Sequence, residues 1–190
     1  MIIARFACMF LLALAVAHSA AAQAQPVDAF RVTSPSMSTF DRSQGATADE
    51  RQLQEAFLSG KALTDLSLSV TVNFRQMNSA EYVVPVSVRI APSSDLLVGR
   101  GPRSRLDFIA AVTDPANITH SNTRDAIELK LGPASIAALA TTPIVYDTAF
   151  TLLPGRYTVR VLARDQTTGR MGTADVAFTI PNLNRQQPAR

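Results

Sequence analysis

The stretch LPGRYTVRVLARD, Leu153 to Asp165, decides the fold. After the turn-forming pair Pro154-Gly155, Tyr157, Val159, Val161 and Ala163 fall on one side of an extended chain. Arg156, Arg160 and Arg164 fall on the other. A period of two with one apolar and one charged side describes a strand that has one face in a core and the other toward water.

The same period recurs on both sides of it. In LSLSVTVNF (66–74) the apolar set is Leu66, Leu68, Val70, Val72 and Phe74. In YVVPVSVRI (82–90) it is Tyr82, Val84, Val86, Val88 and Ile90, with Pro85 marking an edge or a bulge. RLDFIAAVTD (105–114), AIELKL (126–131), IVYDTAFTLL (144–153) and DVAFTI (175–180) complete seven strands, punctuated by Asn78-Ser79, Asp114-Pro115 and DQTTGR. One-sided alternation predicts antiparallel sheets. Seven such strands in about 120 residues predict an immunoglobulin-like antiparallel β-sandwich. Tyr157, at the start of a strand just after a tight turn, resembles the structural tyrosine corner of such sandwiches.

Upstream, TADERQLQEAFLSGK changes the period to 3.6. Thr47 with Glu50 three residues on makes a capping pattern, Leu53, Phe57 and Leu58 form an apolar stripe, and Gly60 ends it. This predicts a short N-terminal helix over 49–62. One short helical insert is expected at GPASIAALA, with Pro133 at the first helical position. The sandwich is expected over 63–182, a flexible Ser/Thr/Gln/Pro-rich arm over 25–48 and a tail over 183–190.

The chain begins with Arg5, an apolar run from Phe6 to Ala17 and the small-residue stretch HSAAAQAQ. That is the pattern of a signal peptide, 1–24, cut near Ala24. The expected address is secreted or periplasmic, with no transmembrane anchor after cleavage, because no later run reaches about 18 apolar residues. The cut removes Cys8, the single cysteine, and leaves His120 as the single histidine. The 18 basic residues, 17 once Arg5 leaves with the leader, face 15 acidic ones, which is no footprint for nucleic acid.

AEYVVPVSVRIAPSSDL, RLDFIAAVTD and above all LLPGRYTVRVLARDQTTGRMGT…FTIPNL resemble the C-terminal β-sandwich region of acidobacterial VWFA-related domain proteins, over about residues 50 to 184. The resemblance implies a sandwich of the kind that follows a von Willebrand factor A-type domain. This chain is expected to lack that domain, and with it the family's reason to expect metal-dependent adhesion.

Asp65, Ser67 and Ser69 have the D-x-S-x-S spacing of such an adhesion site. They continue as an alternating strand rather than a loop before a helix, so they read as its solvent face. No G-x-S-x-G elbow is present, and one histidine without a cysteine supplies neither a triad nor a Cys/His metal site. His120 is expected to be solvated in the loop NITHSN. The turn carboxylates Asp95, Asp107, Asp114 and Asp125 are weighed as Ca²⁺ ligands, but their spacing forms no known loop. The sequence therefore predicts no catalytic residue, no cofactor and no metal.

Its candidate contact surface is basic: Arg156, Arg160, Arg164 and Arg170, with Arg100, Arg103 and Arg105 of GRGPRSR. If the two groups meet, they would face an acidic polysaccharide, a lipid headgroup or an acidic protein. Alternatively, the arginines keep an edge strand soluble. The expected function is an exported non-catalytic binding or structural module of the cell envelope, engaging a protein partner through strand edges or loops. The alternative is an accessory to a polysaccharide- or protein-processing enzyme, contacting an anionic substrate through the arginines.

Overall fold

The structure, a computed structural model, describes residues 30–33, 48–97, 99 and 101–182. The expected leader, most of the expected arm, the tail, the cap residue Thr47 and Arg100 lie outside the described residues. The elements are β1 (Phe30–Thr33), α1 (Ala48–Leu58), β2 (Leu68–Val72), β3 (Arg75–Gln76), β4 (Tyr82–Ile90), β5 (Arg103–Thr113), β6 (Thr119–Lys130), α2 (Pro133–Ala138), β7 (Ile144–Leu152), β8 (Gly155–Asp165) and β9 (Met171–Ile180).

Two sheets form the sandwich, ordered β1-β7-β4-β2 with β3 beside β4, and β6-β5-β8-β9. The alternating residues face one another as the period demands. Val84, Val86, Val88, Tyr146 and Phe150 of one sheet meet Leu106, Phe108, Val112, Val159 and Val161 of the other. Phe108 and Tyr146 stack at the centre, ring centroids 4.1 Å apart and 11° from parallel. The Tyr146 hydroxyl donates to the Asp125 carboxylate, so a phenol and an acid share the interior.

The fold class is the expected one, with three differences. First, Phe30–Thr33, inside the stretch expected to be a mobile arm, is strand β1 and lies parallel to β7 from Phe30 opposite Ile144 to Thr33 opposite Asp147. Phe30 and Val32 pack on the core, and Arg31 pairs with Asp147. Four residues are too few to display a period, which hid the strand.

Second, the expected strand at AIELKL is the second half of a 12-residue strand, β6. Its first half turns Thr123 and Asp125 inward where an apolar residue would announce a strand.

Third, the chain changes sheets at Ser67. Leu63 and Leu66 bond to the start of β9 (Thr173 N–H to Leu63 C=O 2.9 Å, Leu66 N–H to Met171 C=O 3.1 Å), after which Leu68–Val72 pairs with β4. Gly172 lies in that crossing. A Cβ there would sit 2.2 Å from the Leu66 carbonyl oxygen.

Helix α1 ends as its sequence indicates, with Gly60 at φ +69° taking up the left-handed turn beyond the last residues. It lies on the outer face of the β6-β5-β8-β9 sheet, so the molecule has three layers on that side. Leu53 is fully buried beneath it, which contributes about 2 kcal/mol. Leu58, the third member of the expected stripe, is 66% exposed.

Candidate anion-binding surface

The six described arginines of the expected surface do not form one face. Arg156 and Arg164 sit eight residues apart on β8, about 26 Å along an extended strand. Each arginine has its own surroundings.

Arg164 is buried at 5% exposure. It donates through Nε (3.1 Å) and Nη2 (2.7 Å) to Asp107 Oδ2 on the neighbouring strand, and through Nη1 to the Asp49 carbonyl of α1 (3.1 Å). Arg160 donates to Asp175 (2.8 Å) and to the Lys61 carbonyl (2.7 Å), with its guanidinium 6.0 Å from the centre of the Phe57 ring. Arg124 of β6 reaches Glu50 at 3.3 Å. Two of the three outward arginines of β8, Arg160 and Arg164, expected to meet solvent, are thus part of the docking set for α1, while Arg156 stays exposed at the far end of the strand. The reason is local. The first turn of α1 supplies a carbonyl and a carboxylate, the segment after it supplies another carbonyl, and only two of its apolar residues turn inward. Arg170 pairs instead with Asp95 at 2.6 Å, which holds the guanidinium firmly charged.

What remains open is the end of β5. Asp107 takes Arg164 and Gln166 Nε2 (2.9 Å) on one oxygen and Arg105 Nε (3.2 Å) on the other. Ser104 and Thr167 hydroxyls meet at 3.1 Å, and the Gln166 N–H donates to the Arg105 carbonyl at 3.1 Å. The β8–β9 turn is therefore fastened to β5, and Arg103 and Arg105 stand on a rigid base. They line an open shelf of about 570 Å³ together with Ser104, Gln166 and Thr167, with Glu128 at its rim. Arg103 and Glu128 approach only to 4.0 Å.

The four carboxylates weighed for calcium are dispersed. Asp95 pairs with Arg170, Asp107 lies under α1, Asp125 is in the core, and Asp114 closes the β5–β6 turn at the other end. Among the described residues no three His, Cys, Asp or Glu side chains are placed to hold a metal ion. Ser67 and Ser69 are exposed, as the solvent side of the strand requires, and Asp65 precedes it at the sheet crossing.

His120, expected in a loop, lies on β6. Its Nε2 is 3.0 Å from Asp114 Oδ2, and its ring meets Tyr157 edge-on at 5.3 Å. Tyr157 donates its hydroxyl to the Leu153 carbonyl at 3.0 Å, the bond that defines a tyrosine corner, and burial raises its pKa.

Asp114 is held below its ordinary carboxyl range, first by the His120 bond and then by the Ile118 amide. A carboxyl lowered in this way stabilises the turn above its ordinary pKa and loses that contribution as pH falls through the lowered value. The Ala116 and Ile118 amides, both bonded to Asp114 Oδ1 at 2.9 Å, are expected to lose exchange protection together below about pH 4. Titrating the Asp114 carboxyl by NMR checks it. A midpoint at or above 3.8 would show that the turn does not depend on the ionised form.

No family model matches the chain, and no curated protein does. Solved structures similar to it include a β-glucuronidase of Bacteroides uniformis (12% identity, TM-score 0.41, 58% of this chain and 13% of that one). A glycosyl hydrolase family 2 member of Bacteroides cellulosilyticus is similar at 13% identity and TM-score 0.42, over 61% of this chain and 15% of the enzyme. The chain spans about an eighth of the β-glucuronidase it matches.

Proposed function

We propose that the chain is an exported, non-catalytic binding module of the cell envelope that takes up a protein partner by strand addition along β9. The free edge of β9 carries this proposal. β9 ends its sheet, and Leu63–Leu66 covers only its first residues. From Ala174 to Ile180, among the described residues, no strand pairs with it on the side away from β8. That length carries one charged residue, Asp175, which Arg160 neutralises. An extended edge with unpaired amides and carbonyls and little charge is a template for another strand. The opposite edge, β6, carries Arg124, Glu128 and Lys130, the charges that discourage such pairing. The leader pattern at residues 1–24 supports export. The resemblance to a sandwich that follows a von Willebrand factor A-type domain supports a role in assembly.

A photo-crosslinking residue at Ala177, exposed on β9, is expected to give one discrete adduct in cells that express the full chain, and the same residue at Ala126 on β6 none. Equal adducts from both edges, or none from Ala177, would overturn the proposal.

A further inference from the structure

We infer that the Arg103–Arg105 shelf is a separate binding site for a carboxylate-bearing oligosaccharide. Its volume, about 570 Å³, lies within the range of small-ligand sites, about 300–1,000 Å³, and it is an open trough that a chain can cross. The Arg103 side chain is 79% exposed and that of Arg105 50%. The Asp107 carboxylate is matched by buried Arg164, so of the charges on the shelf two guanidinium groups face one carboxylate, Glu128.

A guanidinium fork fits a planar carboxylate with two parallel N–H···O bonds. Arg105 is already oriented by its Nε bond to Asp107, so little side-chain freedom is left to lose on binding. Beside the arginines stand the exposed Thr167 hydroxyl and Gln166 side chain, neutral groups that suit the hydroxyls of a sugar.

Other anions fit less well. Among the described residues no aromatic side chain lines the shelf, so a nucleic-acid base finds nothing there to stack on. Among the described residues, the exposed large apolar side chains Phe74, Met77, Ile118 and Leu153 belong to turns at the other end of the sandwich and Leu58 to α1, so an acyl chain finds no large apolar side chain on the shelf.

The test is calorimetry of the full chain with a polygalacturonate oligomer, against dextran, dextran sulfate and a single-stranded oligonucleotide. Binding to polygalacturonate is expected to weaken about tenfold in Arg103→Ala and to tighten severalfold in Glu128→Gln. Both residues are exposed, so an unchanged melting temperature will show that both variants fold. Dextran sulfate is expected to bind more weakly than polygalacturonate. Absence of binding at millimolar oligomer would overturn the inference. So would equal binding of dextran, tighter binding of dextran sulfate or the oligonucleotide, or indifference to Arg103→Ala.

Discussion

Asp107→Ala is expected to cost about 3–5 kcal/mol, the range for removing one partner of a buried ion pair. The carboxylate accepts from Arg164 twice, from Arg105 and from Gln166, and it is 3% exposed. Removing it leaves the Arg164 guanidinium charged and enclosed beneath α1, with the Asp49 carbonyl as its remaining partner among these bonds. The cost is that of an uncompensated buried charge, rather than of the ion pair's own attraction, which its desolvation largely offsets.

Two results follow that a surface salt bridge would not give. The double variant Asp107→Leu/Arg164→Met recovers most of the lost stability, because an apolar pair of similar volume needs no solvation. Proteolysis within Ala48–Leu58 rises sharply in Asp107→Ala, because Arg164, the side chain that holds the first turn of the helix, loses the carboxylate that orients it. Urea unfolding of the three proteins checks the first, and limited proteolysis checks the second. A loss under 1 kcal/mol for the single variant would mean that water reaches Arg164 and that α1 is not tightly seated.

Gly172→Ala is expected to cost about 3 kcal/mol or more, although it adds only one methyl group. Overpacking of a well-filled site by a methylene commonly costs about 1–3 kcal/mol, when neighbouring side chains can shift. Here the obstruction is the Leu66 carbonyl oxygen, 2.2 Å from the new Cβ, with the Leu66 carbonyl carbon at 3.0 Å. Backbone cannot rotate away as a side chain does. Relief requires Leu63–Leu66 to lift from β9, which breaks the bonds of Leu66 to Met171 and of Thr173 to Leu63. Hydrogen exchange should show those amides opening first while β4 and β7 stay protected. A melting temperature unchanged from the parent would refute the close approach.

The two cases show where the sequence was legible. Alternation in LPGRYTVRVLARD and YVVPVSVRI was enough for the strands, because a period of two over nine or more residues has one physical meaning. The same alternation misassigned Arg160 and Arg164. A period says which residues leave the core, not whether a second layer waits on that side. The signals for that layer were the apolar residues that share the outward face, Ile109 and Leu162, and the half-apolar helix upstream. An outward strand face with Ile and Leu among its arginines calls for a cover. Arg103 and Arg105 were legible as exposed, but the shelf beneath them was not. It depends on where the β8–β9 turn folds down, and Ser104, Gln166 and Thr167 meet only in three dimensions. Strand β6 was half hidden because an acid and a hydroxyl fill its inward positions.

Among the described residues, the long-range anchors of the N-terminal third reach far ahead in the chain. Arg31 meets Asp147 across 116 residues, Asp49 meets Arg164 across 115, and Leu63 meets Thr173 across 110. A chain that emerges at about 5–20 residues per second therefore carries these elements without partners for about 6–20 s. Closure at β1 and the sheet crossing, and the Arg164 bond that holds α1, come only when the last third has appeared. The first part to be made is the last to be secured, so a chain halted before Ile144 presents its β1 and α1 segments to whatever chaperone or protease is at hand.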